Sequence, residues 1–257
     1  MNKKQRISFS ELKIWNECAY KHKLLYIDEL KKFIGNEYTA FGTAMHHLCE
    51  KIIVDPKTSE SVFVNKLIEE FGELKIDDNL LLEQFTDQGK KIIPDILPTI
   101  QKAFPEMEVF SIEEEIFEDI SDLVPESEIT NFKGFIDLVL KTPDGKYHII
   151  DWKTCSWGWN REKRQDKIIA YQLVLYKHFF SKKHNVNVSD INTYFTLLKR
   201  TAKNDSVEVF KVSSGKKRTT DALSLLKKAI FNIKSENFLK NRLSCKRCEF
   251  KNTVNCT

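Results

Sequence analysis

The sequence contains little glycine and proline. Gly and Pro number 8 and 6 among 257 residues, about 5% of the chain against a usual share of about 12%, whereas Phe alone numbers 18. This composition excludes a collagen-like chain and a low-complexity disordered chain, because it supplies enough apolar side chains to form a core. The length predicts one large domain or two small ones.

Long apolar runs are also absent. No segment approaches the ~20 consecutive apolar residues that a membrane-spanning helix needs, and residues 1–10 are polar and basic. We therefore expect a soluble, cytoplasmic protein with no membrane partner. The sequence has no Gly-x4-Gly-Lys-Ser/Thr phosphate loop either, which excludes an unaided helicase.

The net charge of +4 is small, but the charges are unevenly distributed. Residues 106–128 contain ten acidic side chains and no Lys or Arg, whereas residues 199–251 contain fifteen Lys or Arg and five acidic side chains. Such a basic region would attract a polyanion, and it is equally typical of a solvated helical face. Charge alone therefore leaves nucleic-acid binding open.

Hydrophobic periodicity predicts helices and strands in the order α, β, β, β, α, β, β, α, which indicates an α/β sheet flanked by helices. Helices are predicted over residues 8–27, 41–53, 166–180 and 220–238, with a helical section over 59–104 that Pro94 and Pro98 interrupt. Strands are predicted over residues 109–120, 132–141, 146–153, 193–199 and 207–212, and a hairpin turn at 142–145 joins the second to the third.

Two neighbouring predicted strands carry acidic and basic side chains. Asp137 ends the segment Gly-Phe-Ile-Asp, and Asp151 and Lys153 stand two apart in Asp-Trp-Lys-Thr. Because side chains alternate along a strand, Asp151 and Lys153 project from one face, where Asp137 can join them. Two carboxylates suit Mg2+, and a lysine can orient or deprotonate water, so the set fits metal-assisted phosphodiester hydrolysis. Alone, the pattern also describes a salt-bridge ladder on a sheet surface.

Two helices add polar pairs at helical spacing. His46 and Glu50 stand four apart on one predicted helix, and Gln172 and Tyr176 stand four apart on a later one. An imidazole and a carboxylate can point together into a cleft, and Gln and Tyr can donate to a phosphate or a base. Each of these residues is also compatible with a structural role in the core.

The cysteines cluster at the C-terminus. Three of the six lie within the last thirteen residues, and the full set is Cys18, Cys49, Cys155, Cys245, Cys248 and Cys256. A Cys-x2-Cys pair followed by another cysteine, in a chain expected in the cytosol, indicates a metal or cluster site rather than disulfides. Three thiolates would need a fourth ligand. Cys49 and Cys155 are interpreted as small buried residues.

Together these motifs resemble the PD-(D/E)XK nucleases of the RecB and AddB type, which include CRISPR adaptation nucleases and stand-alone exonucleases. The resemblance runs from Ser8 to Cys256, and residues 51–107 match nothing specific in it. It implies a restriction-endonuclease-like α/β core with a central mixed sheet, formed as a single domain over residues 1–257 with a helical insertion at 51–107. Ile136 stands where the family name has proline.

The resemblance also implies a set of site residues. The family's Gly-x-x-x-His motif corresponds to Gly42 and His46, so the ligands of Mg2+ or Mn2+ would be His46, Asp137 and Asp151. The catalytic residues would be Asp137, Asp151, Lys153, Gln172 and Tyr176. Glu50 is a supporting candidate because of its spacing from His46 on the same helix face. The implied activity is that of a metal-dependent DNA nuclease, expected to be an exonuclease on single-stranded DNA or DNA ends.

The implied setting is recombination, repair or CRISPR spacer processing, with a helicase, recombination or CRISPR adaptation protein as partner. The alternative is a nuclease-fold subunit that binds DNA without cutting it. The intact acidic residues argue against that alternative, because unpaired carboxylates facing a phosphate weaken binding when no metal is present.

In the iron-sulfur branch of this family, one cysteine near the N-terminus joins three at the C-terminus. The resemblance therefore implies a 4Fe-4S cluster held by Cys18, Cys245, Cys248 and Cys256, in which residues 239–257 pack with the first helix as a cap. Zinc bound by the same four thiolates is the alternative. Seven residues separate Cys248 from Cys256, more than is usual in the branch.

The segment after the third predicted strand offers candidate DNA contacts. Trp157 and Trp159 could stack on unpaired bases, although tryptophan is also an ordinary core residue. Arg161 and Arg164 belong to a basic run that could hold a phosphate backbone or simply begin a solvated helix.

Overall fold

A computed structural model describes residues 5–30 and 35–256 of the chain. The strands in this part are β1 (Arg6–Ser8), β2 (Glu108–Asp119), β3 (Asn131–Lys141), β4 (Tyr147–Cys155), β5 (Ile191–Lys199) and β6 (Val207–Lys211). The α-helices are α1 (Phe9–Glu17), α2 (Ala19–His22), α3 (Glu37–Val54), α4 (Ser61–Glu73), α5 (Asn79–Ala103), α6 (Arg161–Gln165), α7 (Lys167–His184) and α8 (Lys216–Lys234). None of these helices is both long and apolar enough to cross a bilayer.

The strands form a mixed sheet in the order β1-β3-β4-β5-β6, with β2 also pairing with β3. β3 with β4 and β5 with β6 are antiparallel, whereas β1 with β3 and β4 with β5 are parallel. The predicted hairpin turn is present, because Gly145 has a φ of 77° and donates its N–H to the Thr142 carbonyl. The prediction of an α/β fold with a mixed central sheet flanked by helices is confirmed.

The described residues form two compact units. Those within Met1–Phe33, Glu115–Gly134 and Lys216–Thr257 form one, called here the terminal unit. Those within Ile34–Glu114 and Phe135–Gly215 form the other, called the central unit. Every residue predicted for catalysis lies in the central unit, and the four cysteines predicted to hold a cluster lie in the terminal unit.

The core of the central unit packs α3, α4 and α5 against one face of the sheet. Phe41, Phe63 and Phe85 meet edge to face, with ring centroids 5.5 Å apart in both Phe41 pairs. Gly89 of α5 faces the Phe63 ring so closely that an added Cβ would lie 2.1 Å from it. A glycine in the middle of this helix is therefore required by packing, despite its low helix propensity.

The prediction that prolines interrupt the helical section was wrong, because α5 is continuous through Pro94 and Pro98. The two prolines stand four apart and are both exposed, so they share the solvent face of the helix. The carbonyls that lose their N–H partners there can bind water instead. The opposite face carries the buried residues Ile92, Ile96 and Ile100.

The N-terminal region also differs from the sequence prediction. The predicted helix over residues 8–27 is broken at Cys18, whose φ of −163° and ψ of 113° are extended, and a π-helical turn over Lys23–Ile27 follows α2. Strand β1 was not predicted, because three residues are too few to show an alternating pattern. The last helix ends at Lys234 rather than at residue 238, and Glu236 beyond it has a φ of 53°.

Candidate active site

The β3–β4 hairpin places the two predicted aspartates side by side. Leu138 pairs with Ile150 in the ladder, and one step beyond this pair stand Asp137 and Asp151. The Trp152 N–H donates to Asp137 Oδ2 at 2.7 Å, so a carboxylate takes a backbone donor where the pairing ends. Carboxylates from two neighbouring strands therefore meet at the end of their ladder, as the sequence predicted.

Asp151 is held by two polar neighbours. Its side chain is 2% exposed and lies 2.7 Å through Oδ2 from Lys153 Nζ, while Gln172 Nε2 donates to its Oδ1 at 2.7 Å. The same Gln172 nitrogen lies 3.4 Å from the Tyr176 hydroxyl. Helix α7 thus brings its Gln-x-x-x-Tyr pair onto the face of the sheet that carries the acids, joining four of the predicted residues in one contact network.

The ionisation of this network follows from its burial and its charges. Burial raises the pKa of Asp137 well above its usual value, and the neighbouring Asp151 raises it further. Burial lowers the pKa of Lys153, but Asp151 and Asp137 outweigh that effect and leave it raised overall. Burial also raises the pKa of Tyr176, which stays a neutral hydroxyl. Lys153 is therefore an ammonium that offsets part of the acidic charge.

His46 approaches Asp137 from helix α3. Its Nδ1 lies 3.6 Å from Asp137 Oδ2, and burial lowers the pKa of the imidazole against the opposing effect of Asp151. The helix comes close to β4 one turn earlier, at Gly42, where an added Cβ would lie 3.4 Å from Thr154 Oγ1. A Cβ there would make an ordinary van der Waals contact, so α3 and β4 lie close together at this turn.

One group of potential metal ligands stands out among the described residues. Ligand atoms of His46, Glu113 and Asp137 all lie within 4.8 Å of one another. One imidazole nitrogen and two carboxylates suit Mg2+ or Mn2+, and a cation there would neutralise the acidic charge that raises the pKa of Asp137. Asp151, a predicted ligand, lies outside this group. Its Oδ2 is paired with Lys153, and its Oδ1 accepts a hydrogen bond from Gln172.

Glu113 was not predicted as a site residue. It lies in strand β2, within the acidic stretch that the sequence showed, and its φ of 48° is in the left-handed region. Such a conformation inside a strand redirects a side chain, and here it gives adjacent glutamates different surroundings. Glu114 is buried against Lys183 and His184, whereas burial, Glu50 and Asp151 raise the pKa of Glu113. The available sequence signal was three consecutive glutamates in a predicted strand.

Glu50 lies near this group but is not part of it. It stands one turn after His46, and its Oε2 lies 4.0 Å from His47 Nδ1. Its charge contributes to the raised pKa of Glu113 and, after burial and Asp137, to that of the Cys49 thiol. Cys49 is fully buried, as interpreted from the sequence, whereas Cys155 is only partly buried.

The four candidate DNA contacts differ in their surroundings. Trp157 is 77% exposed, whereas Trp159 is 8% exposed and packs against the rings of Phe195 and Phe210. Arg164 donates to the Trp159 carbonyl and pairs with Glu208, and Arg161 is exposed. Trp157 and Arg161 therefore face solvent, while Trp159 and Arg164 take part in internal packing.

The four cysteines of the predicted cap lie in the terminal unit without forming a group of converging sulfurs. All four are free thiols and partly exposed, and the group of converging ligand atoms in the described part of the chain is formed by His46, Glu113 and Asp137. Cys18 nevertheless lies against the C-terminal segment, since the Asn241 N–H is 3.3 Å from its sulfur. The thiols suit iron or zinc in kind.

A carboxylate and histidine group beside a lysine, on a mixed sheet, is the kind of site found in metal-dependent nucleases. The sequence profile of the PD-(D/E)XK nuclease superfamily matches residues 6–253, so the chain belongs to this superfamily and is a nuclease. Members of the superfamily use divalent metals. No curated protein matches the sequence.

Several solved structures match this chain. The "Putative exonuclease" from Eubacterium rectale aligns with a TM-score of 0.65 and 11% identity, over 97% of this chain and 89% of that one. The protein SSO0001 aligns with a TM-score of 0.46 and 14% identity, over 97% of this chain and 85% of that one. At these identities, the first likeness shows the fold alone.

Proposed function

We propose that this protein is a metal-dependent DNA exonuclease that acts on single-stranded DNA or on DNA ends. The observation that carries the proposal is the convergence of His46, Glu113 and Asp137 next to the contact between Asp151 and Lys153. The likeness of the fold to the "Putative exonuclease" from Eubacterium rectale is consistent with it. We propose a role in recombination, repair or CRISPR spacer processing with a helicase or adaptation partner, and a single domain over residues 1–257 with an insertion at 51–107.

In this mechanism, His46, Glu113 and Asp137 would hold Mg2+ or Mn2+. Such an ion, when bound, polarises a phosphate oxygen and lowers the pKa of water. Lys153, held as an ammonium by the adjacent acids, presents its Nζ to the substrate, where it orients the attacking water or contacts the phosphate. Gln172 fixes the orientation of Asp151 through its 2.7 Å hydrogen bond, and Asp151 in turn positions Lys153.

The test is digestion of end-labelled single- and double-stranded DNA by protein purified without oxygen, with Mg2+, Mn2+ or EDTA. We expect cleavage that needs the metal, and losses of about 100-fold or more in kcat for Asp151→Ala and Lys153→Ala. Lys141→Ala, at the far end of β3, is the matched control and should cut normally. The ladder of products gives the direction of digestion.

A protein that binds DNA but does not cut it with any metal would contradict the proposal. The alternative, a DNA-binding subunit with a nuclease fold, would then hold.

We also propose that Cys18, Cys245, Cys248 and Cys256 bind a 4Fe-4S cluster, with zinc as the alternative. The support is the contact of Cys18 with the C-terminal segment, in which the Tyr20 N–H donates to the Leu239 carbonyl at 3.1 Å. Iron and sulfide analysis of anaerobically purified protein, with the visible spectrum, should show about four irons per chain. One zinc without iron would favour the alternative, and neither metal would remove the proposal.

A further inference from the structure

We propose that the central unit contains a pocket for one unpaired nucleotide of the substrate strand, next to the catalytic lysine. In this pocket the base stacks on Trp157 and the adjoining phosphate faces Lys163. The inference rests on the proposed function, because it assigns the substrate of that same site.

The pocket continues directly from the catalytic strand. Thr154 and Cys155, the two residues after Lys153 on β4, line it together with Tyr38 of helix α3. A strand advances about 3.3 Å per residue, so the pocket begins within about 7 Å of the Lys153 backbone. Because side chains alternate, Cys155 shares the face of Lys153 while Thr154 projects from the other face. A single strand whose scissile phosphate meets Lys153 therefore reaches the pocket by passing Cys155 at the end of β4.

Trp157 presents a flat apolar surface at the mouth of this pocket. Its side chain is 77% exposed, in contrast to the buried Trp152 and Trp159. The next residue, Gly158, has a φ of 125°, a backbone conformation that a side chain would disfavour. Stacking of a base on this exposed indole removes apolar surface from water, which favours binding.

The loop that carries Trp157 is fixed before any ligand arrives. The Arg200 N–H donates to the Cys155 carbonyl at 2.9 Å, and the Thr201 N–H donates to the Ser156 carbonyl at 2.8 Å. The Arg200 guanidinium also donates to Ser156 Oγ at 3.3 Å and lies 4.7 Å from the centroid of the Tyr38 ring. Binding to such a preorganised loop costs little ordering entropy.

The charge of the pocket suits a phosphate. Lys163 and Arg200 both line it, and no carboxylate is among its described lining residues. Lys163 Nζ also lies 4.6 Å from the centroid of the Trp159 ring, which places its ammonium at this part of the loop. Inside a duplex both faces of a base are covered by its neighbours, so stacking on Trp157 selects an unpaired nucleotide.

The first test measures binding without cleavage. The full-length Asp151→Asn variant in EDTA is titrated into a fluorescein-labelled 20-nucleotide oligothymidine and into a labelled blunt duplex, and fluorescence anisotropy is followed. We expect tighter binding to the single strand than to the duplex, and about tenfold weaker binding to the single strand when Trp157→Ala is added. Trp157→Phe should retain most of the affinity, and Leu80→Ala, which removes another exposed side chain of the central unit, should bind as the parent does. Binding by Trp157→Ala within twofold of the parent would overturn the proposal.

The second test locates the nucleotide. An abasic site is moved along the single strand, and the position at which it weakens binding about tenfold marks the base on Trp157. In Trp157→Ala the same abasic strand should bind as the intact strand does, because this variant already lacks the stacking contact. Additive effects at every position would contradict the pocket. If the native protein never cuts DNA but Trp157-dependent binding persists, the proposed nuclease activity fails and the pocket stands.

Discussion

The buried carboxylate of Asp137, which we propose as a metal ligand, is expected to lower the stability of the metal-free protein. It lies beside Asp151, and burial followed by that neighbour raises its pKa well above the usual value. A carboxyl group with a raised folded-state pKa stabilises the protein below its unfolded-state pKa. It loses that contribution as the pH rises through the folded-state value. The metal-free protein should therefore be less stable at pH 8 than its packing alone would allow.

Asp137→Asn removes this charge while keeping an oxygen for the Trp152 N–H. We expect the metal-free variant to be about 1–2 kcal/mol more stable than the native protein at pH 8, and the gain to shrink towards pH 4. The same variant should lose cleavage and the stabilisation that 10 mM Mg2+ gives the native protein. Urea unfolding at both pH values, with Mg2+ or EDTA, checks these expectations. A variant that Mg2+ stabilises as much as the native protein would show that Asp137 is not a ligand.

Some of the candidate site residues could be predicted from the sequence, and others could not. Asp137, Asp151 and Lys153 were found because strand alternation and a hairpin turn fix their relative positions within a short segment. Glu113 was not found, because its placement depends on a left-handed backbone conformation inside β2 that residue types do not indicate. The cysteines show the opposite case, since their spacing predicted a ligand set that their arrangement does not display.

Among the helices and strands, the packing of α5 against α4 depends on the absence of a side chain at Gly89. A Cβ at Gly89 would lie 2.1 Å from the Phe63 ring, so Gly89→Ala should force α4 and α5 apart and destabilise the protein by about 1–3 kcal/mol. The matched control is Gly72→Ala in α4, where nothing lies within 4 Å of the added methyl. That change should stabilise the protein by up to about 1 kcal/mol. Thermal unfolding of both variants gives the comparison, and equal effects would contradict the close packing.

Helices and strands with a clear hydrophobic period could be predicted from the sequence. Breaks and continuations that depend on packing could not. The predicted strand over 132–141 differs from β3 by one residue, because alternation and turn residues define it. Proline was given too much weight in α5, since Pro94 and Pro98 disrupt a helix less when the freed carbonyls face water. The break at Cys18 is stabilised by contacts more than 200 residues away, among them the one from Asn241. No local pattern could reveal it.

At the scale of the whole molecule, the two ends of the chain meet in the terminal unit. The Tyr20 hydroxyl donates to the Asn255 carbonyl at 3.0 Å, and Lys21 Nζ lies 3.3 Å from Glu249 Oε2. Contacts between residues so distant in sequence form only after a long loop has closed, which costs entropy. Burial of Phe250, 5% exposed within the C-terminal segment, helps to offset that cost.

Phe250→Ala should therefore destabilise the terminal unit by about 3 kcal/mol or more, because it leaves a cavity in place of a buried ring. Val254→Ala is the control, since that side chain is 96% exposed in the same segment and should change stability by less than about 0.5 kcal/mol. Calorimetry of both variants measures the effect. Phe250 and Asp137 belong to different units, so we expect the free-energy changes of Phe250→Ala and Asp137→Asn to add in the double variant. A coupling above about 0.5 kcal/mol would show instead that the docking of the chain ends and the acidic site depend on each other.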